Sequence, residues 1–482
     1  MIDTAALIRG ANLCMNIYSK RLVEDIAWYN ALIHAGCNEL QTALHLRMAV
    51  LFSLLELTTI EKAILSTKHA FAKRYHYKNL VANTSECYKL LYHFNKARKK
   101  SIWTRVGDLA QKSNSSDLST QYQDITNQLN DYGDNKINKE SRDITMHYSE
   151  SMLTVYQLTI AITNENDAHQ YYCEFTDILR QMLDFANKLV DLFANQDSMN
   201  NHIALSTNLI GDAKLQSVID QIDAHRIVVR KIDEVMPKGT DELDYFAQEE
   251  KRLEKIHDLA KQNLPIQDDD LISEMLVVVK MADMHVLMHF MMLDMMSNLE
   301  ALYSATSTVE AALHIRRFVI PQVSMLIWLF GYFQEEQEHS LWHYTESKVP
   351  QSLASQQAIL LSIMQKLFTR VCREDRNKYV HVYDDKGTNL IPVFVESLES
   401  MNFEKELKNV LLLTRFYSLF NQFLTMLMSE LARIAHENNE QSSKMLHTQI
   451  AEAMQKVEKM PIPAEMKQQL LERINRIKEI AK

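Results

Sequence analysis

In 482 residues there are only 8 glycines and 7 prolines, and no other feature narrows the fold so far. Tight turns between strands draw on these two residues for left-handed or fixed φ angles, so a sheet-rich chain of this length would run short of turns. Methionine (25) and leucine are plentiful instead. Both lose little side-chain freedom in a helix. The expectation is an all-α protein. Apolar residues make up 46% of the chain, enough for a sizeable core.

The formal net charge is −10. That excludes a general nucleic-acid coat, which needs a basic surface, but leaves room for a local basic cleft. The five cysteines, Cys14, Cys37, Cys87, Cys173 and Cys372, show no metal-binding spacing and read as reduced thiols. The N-terminal MIDTAALIRG lacks the apolar run of a signal peptide. The windows VSMLIWLFGYF and VLMHFMMLDMM are too short to cross a bilayer. A cytoplasmic protein with no membrane partner is expected.

The chain repeats a local pattern. Leu44–Val50 reads LHLRMAV, and Leu313–Val319, 269 residues later, reads LHIRRFV. At the same offset Met15–His34 falls on Met284–Tyr303, and both stretches read as helices followed by short polar loops. A match at one offset points to a duplicated unit. Each copy has a first amphipathic helix, a long second helix from Leu44 to about Phe71 or from Leu313 to about Thr345, a further helix, and a closing helix. The expected organisation is a first helical domain over 1–205, a helical linker over 206–270, a second helical domain over 271–440 and a tail of short helices over 441–482. The polar stretch 113–139 reads as an inserted loop in the first domain.

One short pattern occurs at matching places in the two copies. RDITMH spans Arg142–His147 and RNKYVH spans Arg376–His381. With 20 arginines and 18 histidines, chance supplies about 0.7 pairs at this spacing. RLEKIH, Arg252–His257, is such a chance match in a charged helix. Requiring Asp, Asn or His after the arginine lowers the chance count to about 0.1, and two hits then stand out. A tyrosine follows each, Tyr148 and Tyr383.

These two motifs resemble the signature of the HEPN domains, helical bundles in which an arginine, usually followed by Asn, Asp or His, precedes a histidine by four to six residues. Many members are metal-independent ribonucleases of toxins, phage-defence systems and CRISPR effectors. The resemblance implies two HEPN-like bundles whose motifs line one cleft. It implies Arg142, His147, Arg376 and His381 as catalytic residues, with Asp143, Asn377, Tyr148 and Tyr383 supporting them. No metal and no cofactor would be needed. RNA is the implied substrate, an inhibitor or regulatory protein an implied partner, and a homodimer an alternative way of pairing the motifs.

The chemistry suits those residue types. RNA cleavage without a metal removes the 2′-hydroxyl proton and stabilises charge on the phosphate. Histidine titrates near neutrality and serves as base or acid. Arginine offers a planar fork of donors to a phosphate. The bland alternative is that an arginine and a histidine near a helix C-terminus cap carbonyls and oppose the helix dipole in a non-catalytic scaffold.

Two basic stretches are candidate RNA contacts. Asn95–Arg105 contributes Lys99, Lys100, Trp103 and Arg105, and the stretch ahead of the second motif contributes Arg370 and Arg373. His45 and His314, beside Arg47 and Arg316, read as buried hydrogen-bonding residues. The Met-rich stretch MADMHVLMHFMMLDMMS, which holds His285 and His289, reads as packed core rather than as a metal site.

Overall fold

The computed structural model describes residues 3–33, 38–93, 101–137, 165–196, 291–331, 342–370 and 403–459, with scattered single positions between them. Among the described residues every regular element is helical, so the protein is all-α. The helices are α1 (Thr4–Ile33), α2 (Asn38–Ser66), α3 (Ala70–Tyr92), α4 (Ile102–Lys112), α5 (Ser116–Asn135) and α6 (Glu165–Gln196). They continue with α7 (291–303), α8 (Thr308–Phe330), α9 (Ala354–Arg370) and α10 (Phe403–Lys459). The chain forms two compact units. The larger comprises Met1–Glu346 with Met364–Tyr417, and the smaller Ser347–Ile363 with Ser418–Lys482.

In the larger unit α2 is the hub. Every residue from Ala43 to Ile64 is buried. A helix with apolar residues around its whole circumference must be surrounded. Its neighbours are α1, α3, α4, α6 and α8. α1 buries Met15, Leu22, Asp25 and Leu32 and leaves Leu7, Leu13 and Ile17 exposed. Cap residues set several boundaries. Ser101 Oγ accepts from the Thr104 amide at 3.1 Å, and Ser307 Oγ from the Glu310 amide at 3.2 Å. Gly331, at φ 71°, ends α8, and its amide donates to the Ile327 carbonyl at 2.8 Å.

Three sequence expectations are corrected here. The stretch 113–139 is not a loop with a minor helix. It holds the 20-residue α5, which packs on α4 and α6. Its buried residues Leu118, Ile125, Leu129 and Tyr132 fall on one face, and Ser115 caps its start. Secondly, the long helices end early. α2 stops at Ser66, where Glu300 of α7 accepts from Thr67 Oγ1 at 2.6 Å and from the Lys68 amide at 3.4 Å. α8 stops at Phe330 rather than near Thr345. Thirdly, no break falls near residue 441, because α10 runs unbroken for 57 residues to Lys459.

α8 is long and apolar enough to cross a membrane by composition alone, yet 87% of its apolar window lies buried inside the protein. Met281, Met284, Met288, Met291, Met295 and Met296 are buried as packed core, while His285 and His289 lie outside the described residues. Cys14, Cys87 and Cys173 are free thiols. In the smaller unit Ser352 Oγ donates to Glu430 at 3.0 Å, and Arg433 bridges Glu430 and Glu437 at 2.9 and 2.5 Å. These donors hold the Glu430 carboxyl down to about 2.

Candidate functional site

Most of the residues implied by the two motifs lie outside the described residues. They are Arg142, Asp143, His147 and Tyr148, then Arg376, Asn377, His381 and Tyr383. Lys99, Lys100 and Arg373 share that position. Three of the candidate RNA contacts are described. Arg370 is exposed at the end of α9. Arg105 is half-buried on α4, near enough to His45 for its charge to bear on that ring. Trp103 is a correction. It is 0% exposed, stacks on Tyr122 at 5.0 Å between ring centroids, and donates from Nε1 to Thr126 Oγ1 at 2.9 Å. Its indole is core and offers no face to a base.

What the larger unit does bring together is a layer of buried charge where α2 and α3 meet α7 and α8. Glu56 of α2 accepts from Arg316 Nη1 through one oxygen. Its other oxygen accepts from Arg317 Nη2 at 2.8 Å, and its backbone carbonyl accepts from the same nitrogen at 3.2 Å. Lys62, one helical turn and a half further on, donates to Glu310 at 2.7 Å, to Thr306 Oγ1 at 3.1 Å and to the Ser304 carbonyl at 3.3 Å. Lys78 of α3 donates to Asp294 of α7 at 3.0 Å. These seven charged residues are only 1–5% exposed. Charges so buried are tolerated when paired and hydrogen-bonded, and an ammonium with three acceptors has used all its donors.

The layer also holds neutral polar groups. Asn298 donates from Nδ2 to the Tyr75 hydroxyl and to the Arg317 carbonyl. Arg317 Nη1 lies 3.3 Å from His314 Nδ1, which places an arginine donor against an imidazole acceptor. Burial and the Arg317 charge push His314 well below its ordinary range and His76 down to about 3. Burial also pushes His45 down to about 3, with Arg105 adding to it. All three rings are therefore neutral at physiological pH. The expectation that His45 and His314 are interior residues agrees with their exposures of 6% and 1%.

A separate pair joins α1 to α2. Arg47 grips Asp25 with two bonds, Nε to Oδ2 at 2.8 Å and Nη2 to Oδ1 at 2.6 Å, and its third arm reaches Asn187 at 3.3 Å. Burial nonetheless raises the Asp25 carboxyl, outweighing the pull of Arg47. Asp25 and Asp294 stand 269 residues apart, as do Arg47 and Arg316, but their pairings differ. The first aspartate binds the first arginine, whereas Asp294 binds Lys78 and Arg316 binds Glu56.

Motif reasoning missed Glu56, Lys62, Lys78, Asp294, Glu310 and Arg317. A signal existed, since Glu56 interrupts the run VLFSLLELTTI and Arg316–Arg317 interrupts LHIRRFVI. A charge inside an apolar helix that has no polar face needs a buried partner. Chemically this layer is sealed and its charges are paired, although Arg317 Nε, His314 Nε2, His76 Nε2 and Asn298 Oδ1 are buried without a hydrogen-bond partner among the described residues. Its role is to fix how α2 and α3 seat against α7 and α8. In comparisons with known proteins, no family model, no curated protein and no solved structure matches this chain.

Proposed function

We propose that the protein is a metal-independent endoribonuclease, with a composite site formed from two HEPN-like motifs of a duplicated chain. Arg142 and Arg376 hold the scissile phosphate, and His147 and His381 move the protons. Asp143, Asn377, Tyr148 and Tyr383 position them. The observation that carries this reading is the recurrence of Arg-[Asp/Asn]-x3-His at matching places in the two copies. The all-α architecture supports it, as does the shared core of α2 and α3 with α7 and α8, helices that precede the first and second motif respectively. A toxin or phage-defence role in the cytoplasm follows from the same reading, with an inhibitor protein as the natural control.

The test offers RNA to the purified protein with and without EDTA. Cleavage that persists in EDTA, yields 2′,3′-cyclic phosphate ends and is lost in His147→Ala or His381→Ala supports the reading. Loss of cleavage with EDTA, or parental rates in both variants, overturns it.

A second reading is a non-catalytic helical scaffold that binds a protein or nucleotide partner. The net charge of −10 and the burial of Trp103 favour it. Growth on expression separates the two. A ribonuclease slows growth and its histidine-to-alanine variant does not, whereas a scaffold gives no difference.

A further inference from the structure

A cluster on the α2–α6 face of the larger unit is used by neither the charge layer nor the motif pair. His169 of α6 places Nδ1 3.0 Å from Glu61 Oε1 of α2. Its Nε2 lies 3.6 Å from Cys173 Sγ, one turn along the same helix. Among the described residues Glu61 Oε2 has no hydrogen-bond partner although the side chain is only 9% exposed. The imidazole is 52% exposed and the thiol half-buried, so the outer end of the cluster is open to solvent.

The order of groups matters. A carboxylate that accepts from Nδ1–H fixes the tautomer and leaves Nε2 as an acceptor for the thiol proton. Glu61 then favours the imidazolium that forms when the proton moves. The neighbours that bear on this thiol are Glu61, Asp177, Glu174 and Arg180, and the three acids outweigh the one arginine. Burial and these carboxylates raise the Cys173 thiol, so no standing thiolate is available. Nucleophilic sulfur arises only as the proton passes to His169. The same acids repel anionic reactants.

We propose that Cys173, His169 and Glu61 form a nucleophilic site that accepts an uncharged acyl group from a thioester donor. The Cys173 proton passes to His169 Nε2 while the sulfur attacks the acyl carbonyl carbon. The adduct collapses with rupture of the donor's carbon–sulfur bond, and the imidazolium returns the proton to the departing thiolate. The products are an acyl thioester on Cys173 and the free donor thiol, with no oxidant required. This site shares no residue with the arginine–histidine motifs, and its test stands apart from the ribonuclease reading.

The experiment treats the full-length protein with the S-acetyl ester of N-acetylcysteamine at pH 7.5 and follows acetylation of each cysteine by peptide mass spectrometry. Cys14, also half-buried, is the internal reference. Cys173 is expected to be acetylated at least about tenfold faster than Cys14, a modest share of what a positioned base contributes. His169→Gln brings Cys173 to the Cys14 rate without changing Cys14, and Glu61→Gln lowers it by a smaller factor. In parallel, iodoacetamide should outpace iodoacetate at Cys173 by more than at Cys14. Equal rates at the two cysteines, or a Cys173 rate indifferent to His169→Gln, overturn the site. Fast reaction with iodoacetamide but none with the thioester overturns the acyl assignment.

Discussion

Glu56→Gln keeps the shape of a side chain on which two guanidinium groups converge and removes only its charge. Arg316 and Arg317 are 4% and 5% exposed, so neither can swing to water when their shared carboxylate is gone. Removing one partner of a buried ion pair costs about 3–5 kcal/mol, because the charge left behind is uncompensated. Glu86, 7% exposed and near enough to act on Arg316, offsets part of that loss. The expected cost is therefore about 3 kcal/mol, a large share of the 5–15 kcal/mol that usually separates folded from unfolded protein. Urea unfolding followed by circular dichroism reads it as a lower midpoint with an unchanged slope. Two controls give the number meaning. Glu39→Gln removes an exposed acid paired to Lys112 at 3.4 Å and should change stability by less than about 0.5 kcal/mol. A triple variant, Glu56→Met with Arg316→Met and Arg317→Leu, removes all three charges and should recover most of the loss. If Glu56→Gln unfolds within 1 kcal/mol of the parent, by the same arithmetic the arginines are hydrated and the reasoning about a sealed layer fails.

Two further outcomes follow from the same interior. His45 and His76 have folded-state pKa values of about 3 and His314 lies well below 6.5, so between those values and 6.5 the unfolded chain binds more protons. Stability that is complete above about pH 6.5 should fall as the pH drops towards 3, by up to about 1.4 kcal/mol per pH unit for each histidine. Urea titrations at pH 7.5, 6.0 and 5.0 check the slope, and a flat profile contradicts it. Gly133→Ala should also destabilise. A Cβ there overlaps the Tyr88 hydroxyl and comes within 2.7 Å of its Cζ. Tyr88 is 0% exposed and held by the Leu129 carbonyl at 3.1 Å, so it has nowhere to retreat. A thermal melt should show a loss of about 1–3 kcal/mol, and an unchanged midpoint would mean that α3 and α5 can separate locally.

Fold class was legible because scarcity of glycine and proline acts on every turn at once. Boundaries were not, because each depended on something remote or on the absence of a stop. The end of α2 is fixed by Glu300, 233 residues from Thr67. α10 passes through AHENNEQSSK because that stretch, though polar, contains neither glycine nor proline. The polarity of α5 points to a loop, although Leu118, Tyr122, Ile125, Leu129 and Tyr132 recur at alternating spacings of four and three. Its period carried the signal and its composition hid it. The basic residues around Trp103 in sequence point to a stacking platform. Only packing against Tyr122 and Phe185 shows it to be interior.

The pattern of buried charge bears on how the halves of the chain relate. Two helical domains that fold separately would each satisfy their own ions. Here Glu56, Lys62 and Lys78 of the first half take Arg316, Arg317, Glu310 and Asp294 of the second, across separations of 216–261 residues. A fragment ending at residue 205 would lose these four partners and open to water the face of α2 and α3 that α7 and α8 cover. Leaving that much apolar surface unburied takes away a large share of what stabilises an ordinary domain. Fragments 1–205 and 271–482 are therefore expected to be unfolded when expressed alone and to recover helicity and a cooperative melt when co-expressed. A fragment 1–205 that melts cooperatively by itself would show that the first half can satisfy its ions without the second, and the charge layer would then be an accessory to the fold rather than the device that joins its halves.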